Sequence, residues 1–431
     1  MEIGTRMPCI RLANGWLFRP RSSHPLAALL PTPMTPMYGP AVPALSGAVP
    51  ETQRGLTTML SRNPPPFHGE HIGSLLRPSK LLDQRTKFAR GEIDRTELTE
   101  AEDEAIKNAL GLQERVGLKF ATDGEFRRRS YHSFFYGALG KLRIDTIGGA
   151  DAVGASGAGG RGAQPTAIVG SRVQWTQPIN GPDASFLKAH SNRSTKITIP
   201  GPCALHFRGG DAAVIASAYR DMDQFWSDTV DAFARELHAL AAAGCRYVQI
   251  DETAFAKFGD AAVQATLAER GDDWSALIDK YIDVTNRVLR AAPKGMHIGM
   301  HLCRGNRGGH WHAEGSYEEV AERLFNALAV RFYFLEYDTP RAGSFMPLRF
   351  VPKHKSVVLG LVSTKVPELE DKAALERRVE QATKFVALDR LGVSPQCGFA
   401  SLDTGNPVTA AVQYCKLELV CELARDIWNE T

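Results

Sequence analysis

The residues best placed to do chemistry are His301 and Cys303, two positions apart at the end of the apolar run Met296-His297-Ile298-Gly299-Met300. That run reads as a buried strand, and on a strand residues two apart point to one face. One imidazole and one thiolate therefore aim at the same point, and these are ligand types that zinc prefers. Taken alone, the pair reads more simply as a chance occurrence in a packed strand. Two further stretches change that weighing. The apolar run Phe332-Tyr333-Phe334-Leu335 ends in Glu336, and the short segment Ser394-Pro395-Gln396 ends in Cys397. His, Cys, Glu and Cys from three separate strand ends would close a tetrahedral zinc site.

The elements that must position these residues are strands alternating with helical patterns. Strands are expected at 68–74, 120–126, 196–199, 247–252, 296–301, 332–336, 357–362 and 394–397. Helices are expected near 79–91, 96–117, 218–243, 273–291, 317–329, 369–390 and 407–427. Eight strands alternating with helices predict an α/β fold, a (β/α)8 TIM-type barrel. An open doubly wound sheet is the alternative and would usually have fewer strands. In either fold the reactive residues gather at the carboxyl ends of the strands. Residues 148–163 are mostly Gly and Ala and read as a flexible loop. The flanking segments, Leu142–Asp145 and Ile168–Trp175, are expected to form an antiparallel hairpin inserted between strands 2 and 3.

Composition narrows the function classes. The 431 residues are 43% hydrophobic with a net charge of +3, and the basic residues are not clustered. That gives no case for nucleic acid or membrane binding, and no apolar run is long enough to span a bilayer. Seven scattered cysteines, an odd number, are no disulfide framework and fit a reducing cytoplasm. Residues 1–66 hold 12 of the 25 prolines and show neither helical nor strand period. They are expected to be a disordered extension, with 67–431 forming the barrel. The extension's basic, acid-poor opening faintly suggests a transit peptide. A start codon called too early, with Met59 the working start, is the favoured reading.

At this point the residues resemble a known family. His301-x-Cys303, Glu336 and Cys397, together with His71-Ile72-Gly73-Ser74, Asp123-Gly124-Glu125-Phe126 and Gln249-Ile250-Asp251-Glu252, resemble the catalytic domain of cobalamin-independent methionine synthase. The resemblance covers roughly residues 67–428. Cys303-Arg304-Gly305-Asn306 and Gly360-Leu361-Val362-Ser363-Thr364-Lys365 are most similar to the short, single-barrel branch. The resemblance implies that His301, Cys303, Glu336 and Cys397 hold zinc. It implies that Ile72 and Ser74 face an amino-acid carboxylate while Glu125 and Asp251 hold its ammonium. The residues themselves agree, since two carboxylates at neighbouring strand ends make a cation site. Glu252 is ambiguous and ranks below Asp251.

Two departures concern the methyl donor. The long enzymes carry a second, N-terminal barrel that helps to hold a polyglutamylated folate, and residues 1–66 are too short for one. They also carry a histidine, the proton donor, beyond the seventh strand. Here that place reads Ser363-Thr364-Lys365. His310, His312 and Lys365 are the substitute acids available. The implied activity is methyl transfer to the thiol of homocysteine, giving methionine, with a methylcorrinoid, such as a corrinoid protein carries, or a methylsulfonium expected to outperform methyl-tetrahydrofolate. The rivals are alkylation of another small thiol, for instance by an epoxide, a non-catalytic zinc protein, and a metal-free decarboxylase-like barrel. Ligands spread from 301 to 397 argue against structural zinc, which usually uses close local pairs. A metal-free barrel would leave Cys303 and Cys397 without a task.

Overall fold

The computed structural model describes residues 65–429 apart from 141, 148–163 and 217, together with 11–12 and 15–16. The chain divides into two units, Met1–Thr57 and Thr58–Thr431. In the first, Arg11–Leu12 pairs antiparallel with Gly15–Trp16. The rest of the expected disordered extension up to residue 64 lies outside the described residues.

In the second unit, seven strands form one parallel sheet. They are β1 (Phe120–Ala121), β2 (Ser194–Pro200), β3 (Tyr247–Glu252), β4 (His297–Leu302), β5 (Phe332–Glu336), β6 (Ser356–Val362) and β7 (Leu391–Pro395). Their spatial order runs from β7 to β1 without exchange, and every pairing is parallel. Chain order equal to spatial order is the arrangement of a TIM-type barrel. The strands read as continuous apolar runs because parallel strands are covered on both faces. In β6, Val357 through Val362 are all buried.

The sequence predicts eight strands, and the described residues give seven. At His68–Ser74 the chain makes only one ladder contact, with β7. Glu70 N–H donates to Val393 O (2.9 Å) and Val393 N–H donates to His68 O (2.7 Å). Beyond Glu70 the main chain is claimed by side chains instead. Gln249 Nε2 donates to Ile72 O (2.7 Å) and Lys196 Nζ donates to His71 O. Gly73 sits at φ +150°, where a Cβ would meet Glu125 Oε1 at 2.5 Å. The same segment shows that the sheet curls. Glu70 touches β7 through its backbone, while its carboxylate takes a hydrogen bond from Lys196 of β2 (3.0 Å) and another from Tyr247 Oη of β3 (2.6 Å). The segment thus links the edge strand β7 to β2 and β3 through one fully buried ion pair.

Helices cover the outside, and most expected ones form within a few residues of their predicted ends. Arg95–Val116 starts in a capping box, Asp94 with Glu97, and stops at Gly117 in the left-handed region. Trp274–Arg290 buries one stripe, Ile278, Tyr281, Ile282, Val284, Thr285 and Val288. Gly181–His190 and Ala261–Glu269 are helices the sequence reading does not anticipate. No helix among the described residues is long and apolar enough to cross a membrane.

Between β1 and β2 in the chain, Arg143–Ile147 pairs antiparallel with Gln164–Ile168. The expected second arm, Ile168–Trp175, therefore begins where the observed one ends. The reason is that its donors go elsewhere. Val169 N–H bonds Ala213 O (2.9 Å), Val173 N–H bonds Tyr219 Oη (2.7 Å) and Trp175 Nε1 bonds Glu236 Oε2 (2.8 Å). The expected Gly/Ala loop at 148–163 lies outside the described residues.

Candidate active site and metal centre

Four side chains converge at the carboxyl end of the sheet. His301 lies on β4 and Cys303 just past it, Glu336 ends β5, and Cys397 follows β7 by two residues. One ligand atom from each lies within 4.8 Å of all the others, and all four residues are buried. The two sulfurs are 3.8 Å apart, and His301 Nε2 is 3.9 Å from Glu336 Oε1. Two thiolates on a tetrahedral zinc, each at about 2.3 Å, would be separated by about 3.8 Å. Among the described residues, the buried ring nitrogens of His301 have no hydrogen-bond partner of normal geometry, only the neighbouring Cys397 sulfur. A buried imidazole normally finds partners, so this one is shaped for a ligand outside the protein. The donor set and its spacing fit a zinc ion.

The surroundings tune these groups. Glu336 accepts from Arg304 N–H (2.9 Å) and Arg341 Nη2 (3.0 Å), with Lys365 Nζ at 3.9 Å. Burial pushes its carboxyl up, but Lys365, Arg341 and His301 outweigh that and hold it below the usual carboxylate value. The hydrogen bond between the two sulfurs splits the thiols. Against burial, it and the neighbouring His301 pull Cys397 well down, while the same bond and burial push Cys303 well up. The turn after β4 needs its glycine. Gly305 lies at φ +93°, where a Cβ would meet His312 at 2.6 Å, and its N–H donates to Cys303 Sγ (3.3 Å).

A cavity of about 290 Å³ opens onto this cluster, with His301, Cys303 and Cys397 in its wall. Ile72, Ser74, Glu125 and Asp251, the residues expected to bind substrate, line the same cavity. Parallel register puts Asp251 beside His301. Asp251 Oδ1 accepts from Gln249 Nε2 (2.7 Å), and burial pushes its carboxyl up to about 7. Glu125 sits at φ +60°, a conformation that costs energy for any residue but glycine and clusters at functional sites. Asp123 Oδ1 receives its N–H (2.8 Å), and Thr198 Oγ1 donates to its carboxylate (2.8 Å). Burial pushes Glu125 up as well. Ser74 Oγ accepts Ala400 N–H (3.3 Å), which leaves its own hydrogen free to donate.

Glu252 points away from this cavity. Its carboxylate accepts Ala254 N–H (2.9 Å) and Cys203 N–H (3.3 Å), and it packs so close to Gly201 that a Cβ there would meet Oε2 at 2.1 Å. Of the three candidate acids, only His312 lines the cavity. Burial, with Lys257 and Arg208 nearby, pushes it down to about 2, so it is neutral near pH 7. His310 is exposed. Lys365 lies behind Glu336, 3.5 Å from Asp338 Oδ2. The sequence reading missed Tyr131, His132, Arg208, Thr253, Lys257 and Asn306, which also line the cavity. They stand on loops and short helices, where no periodic signal marks them.

A curled parallel sheet with a buried His, Cys, Glu and Cys cluster that could hold a metal at its carboxyl end, and two buried acids beside it, has the layout of an enzyme barrel. The sequence profile of the cobalamin-independent synthase catalytic domain matches residues 67–416. The chain belongs to that family, a family of methionine synthase-like methyltransferases. It is 35% identical over 366 residues to the uncharacterized protein YxjH of Bacillus subtilis, an alignment covering 84% of this chain and 95% of that one. It is 22% identical to the methionine synthase of Pyrococcus furiosus over 83% of this chain and 92% of the other. Among solved structures, a candidate vitamin-B12-independent methionine synthase from Listeria monocytogenes superposes with a TM-score of 0.64 at 33% identity, covering 85% of this chain and 99% of that one.

Proposed function

We propose that the protein is a zinc-dependent methyltransferase that moves a methyl group onto the sulfur of homocysteine, giving methionine. One observation carries this reading. Two buried carboxylates, Asp251 and Glu125, open into the same cavity as Cys303, Cys397 and His301. Burial raises both carboxyls, and a cation between them would favour their charged forms. An α-ammonium is such a cation, and it would set the thiol of a short amino acid toward the cysteine and histidine cluster.

Each residue then has a task. Asp251, held by Gln249, and Glu125, held by Thr198, take the ammonium. Ser74 donates its hydroxyl to the carboxylate, helped by the main chain at Ile72. Zinc held by His301, Cys303, Glu336 and Cys397 would favour the thiolate form of the substrate. The thiol releases its proton to solvent on binding, its sulfur forms a bond to the methyl carbon, and the donor atom leaves with the electron pair of the broken bond. Burial of the whole arrangement excludes water from that displacement and fixes the attacking geometry.

The placing of the three expected acids favours a donor that leaves without their help. His310 and Lys365 stand outside the lining, and His312 is held neutral. A tertiary amine such as the folate N5 leaves poorly unless protonated. A methylsulfonium or a methyl–cobalt donor needs no proton. The test is methionine formation by zinc-loaded protein with each donor in parallel, alongside a titration of the cobalt(II)-substituted protein with homocysteine. A thiol-dependent spectral shift is expected with homocysteine and a much weaker one with a thiol lacking the amino group. Equal response to both thiols would refute the amino-acid reading.

A further inference from the structure

We propose that Lys257 and Arg208 form an anion-binding subsite that takes a carboxylate or phosphate group of the methyl donor. This inference rests on the reading of the cavity as a methyltransferase site. Its first support is placement. Arg208 follows the short helix Ala204–Phe207 after β2, and Lys257 ends the turn Phe255–Lys257 after β3. Both line the cavity from its loops, beyond the strand ends that carry Asp251 and the metal cluster.

The charged groups of the lining come from different elements. Asp251 stands beside His301 in strand register, whereas Arg208 and Lys257 stand on the loops after β2 and β3. An amino acid bound at the acidic end, Asp251 and Glu125, points its sulfur at the metal cluster. The group that delivers the methyl must come from the side the amino acid does not fill, and Arg208 and Lys257 line the cavity from the loops.

The second support is the state of Lys257. It is 1% exposed. Among the described residues its ammonium makes no hydrogen bond and no ion pair, and only the Phe207 ring lies beneath it, at 5.6 Å. A buried, unpaired ammonium is costly. Burial and the Arg208 guanidinium push Lys257 down to about 7. An anion entering the cavity would offset both effects. Arg208 already points to the cavity wall, with Nη2 3.4 Å from Tyr131 Oη. Glu252, an acid whose charge acts on Lys257, is committed to the main-chain N–H groups of Ala254 and Cys203.

The test is calorimetric titration of the zinc-loaded full-length protein, with methionine at saturation to fill the acidic end. The probes are dimethylsulfoniopropionate, inorganic phosphate and, as a methyl donor without an anion, trimethylsulfonium. Wild type is expected to bind dimethylsulfoniopropionate about tenfold more tightly than trimethylsulfonium, the worth of one charge-assisted hydrogen bond. Lys257→Met should lose most of that preference, and Lys257→Arg should keep part of it. Phosphate displacing dimethylsulfoniopropionate would mark a subsite open to either anion, and phosphate without effect one selective for carboxylate. Arg208→Met, read in the same way, guards against a fold defect in the first variant. Equal affinity for the two sulfoniums in wild type, or no measurable binding of either anion, overturns the proposal. So does an unchanged preference in Lys257→Met, including the case where that variant loses only folate turnover and Lys257 is an acid. The cobalt spectral shift with homocysteine reads the acidic end alone, so its loss would instead count against the proposed function.

Discussion

Replacing Lys196 by Met tests how the half-barrel closes and what that closure does for the site. Lys196 is fully buried and donates to Glu70 Oε2 (3.0 Å), to Gln249 Oε1 (3.2 Å) and to His71 O. Its ammonium also lies over the rings of Phe120 (4.4 Å) and Phe334 (5.0 Å). Without it, Glu70 keeps only Tyr247 Oη and Phe67 N–H as partners. The buried carboxylate must then stay charged and unpaired or take up a proton. Breaking a buried pair by removing one partner costs about 3–5 kcal/mol. Protonating a carboxyl of ordinary pKa about 4.3 at pH 7 costs about 3.7 kcal/mol, which is the upper limit set by that escape. A loss of about 3 kcal/mol at pH 7, capped at about 3.7, is expected. Burial already raises Glu70 in the wild type against the pull of Lys196 and Tyr247; without Lys196 it rises further, so the deficit should shrink as pH falls. By pH 5 the proton costs only about 1 kcal/mol. Glu70→Gln in the same chain should recover most of the loss. The assay is urea unfolding of both variants between pH 5 and 7. Because the segment carries Ile72 and Ser74, KM for homocysteine should rise while bound metal is unchanged. A loss below about 1 kcal/mol, or a deficit that does not change with pH, would refute the closure argument.

Cys303→Ser or Cys397→Ser should release the metal and abolish activity while the circular dichroism stays that of a folded barrel; metal analysis decides, and full retention in both would remove the four-ligand assignment. Asp251→Asn removes one charge without changing shape, so KM for homocysteine should rise about tenfold or more with zinc content intact. Burial, and then Lys196, push His71 down to about 3, below the value near 6.5 that an unfolded histidine shows. Its neutral burial is harmless above pH 6.5 and destabilises as pH falls, by about 2 kcal/mol at pH 5. His71→Gln should therefore flatten the loss of stability between pH 6.5 and 5, and an unchanged slope would mean that His71 titrates normally in the folded chain.

Much of this site is legible because strands transmit sequence spacing into space. The period of two puts His301 and Cys303 on one face, and Glu336 and Cys397 arrive because their strands are neighbours of β4 and closers of the curl. The same period settles Glu252. Gln249 and Asp251 share one face and bond to each other at 2.7 Å, and Glu252 must face the other way, under the loop after β2. The first strand is a different matter. The segment His68–Ser74 reads as a strand and its turn, but its main chain is taken by Lys196 and Gln249 from across the barrel. Pairing with distant side chains leaves no local pattern. The hairpin's second arm slips for the same reason, since the Val173 and Trp175 donors go to Tyr219 and Glu236.

The division between strand ends and loops also says where chemistry can change. Strand ends are fixed on both sides by ladder bonds, so His301, Glu336 and Asp251 are held rigidly, and Cys303, Cys397 and Glu125 stand within a few residues of strand ends. Arg208 and Lys257 come from short turns that touch neither ladder, and a substitution there leaves the ligand cluster in place. Glycine at 305 keeps the loop after Cys303 tight, because any side chain at φ +93° would push into His312. On the proposed reading, the metal and acceptor side rests on strand ends and the residues just beyond them, while Arg208 and Lys257 stand on loops that can vary more freely. Exchanging the turn at 255–257 between this chain and a relative should change the preferred donor and leave homocysteine binding, read by the cobalt spectrum, where it was. A swap that moved the spectrum and spared the donor preference would mean that the sheet, not the loops, reads the donor.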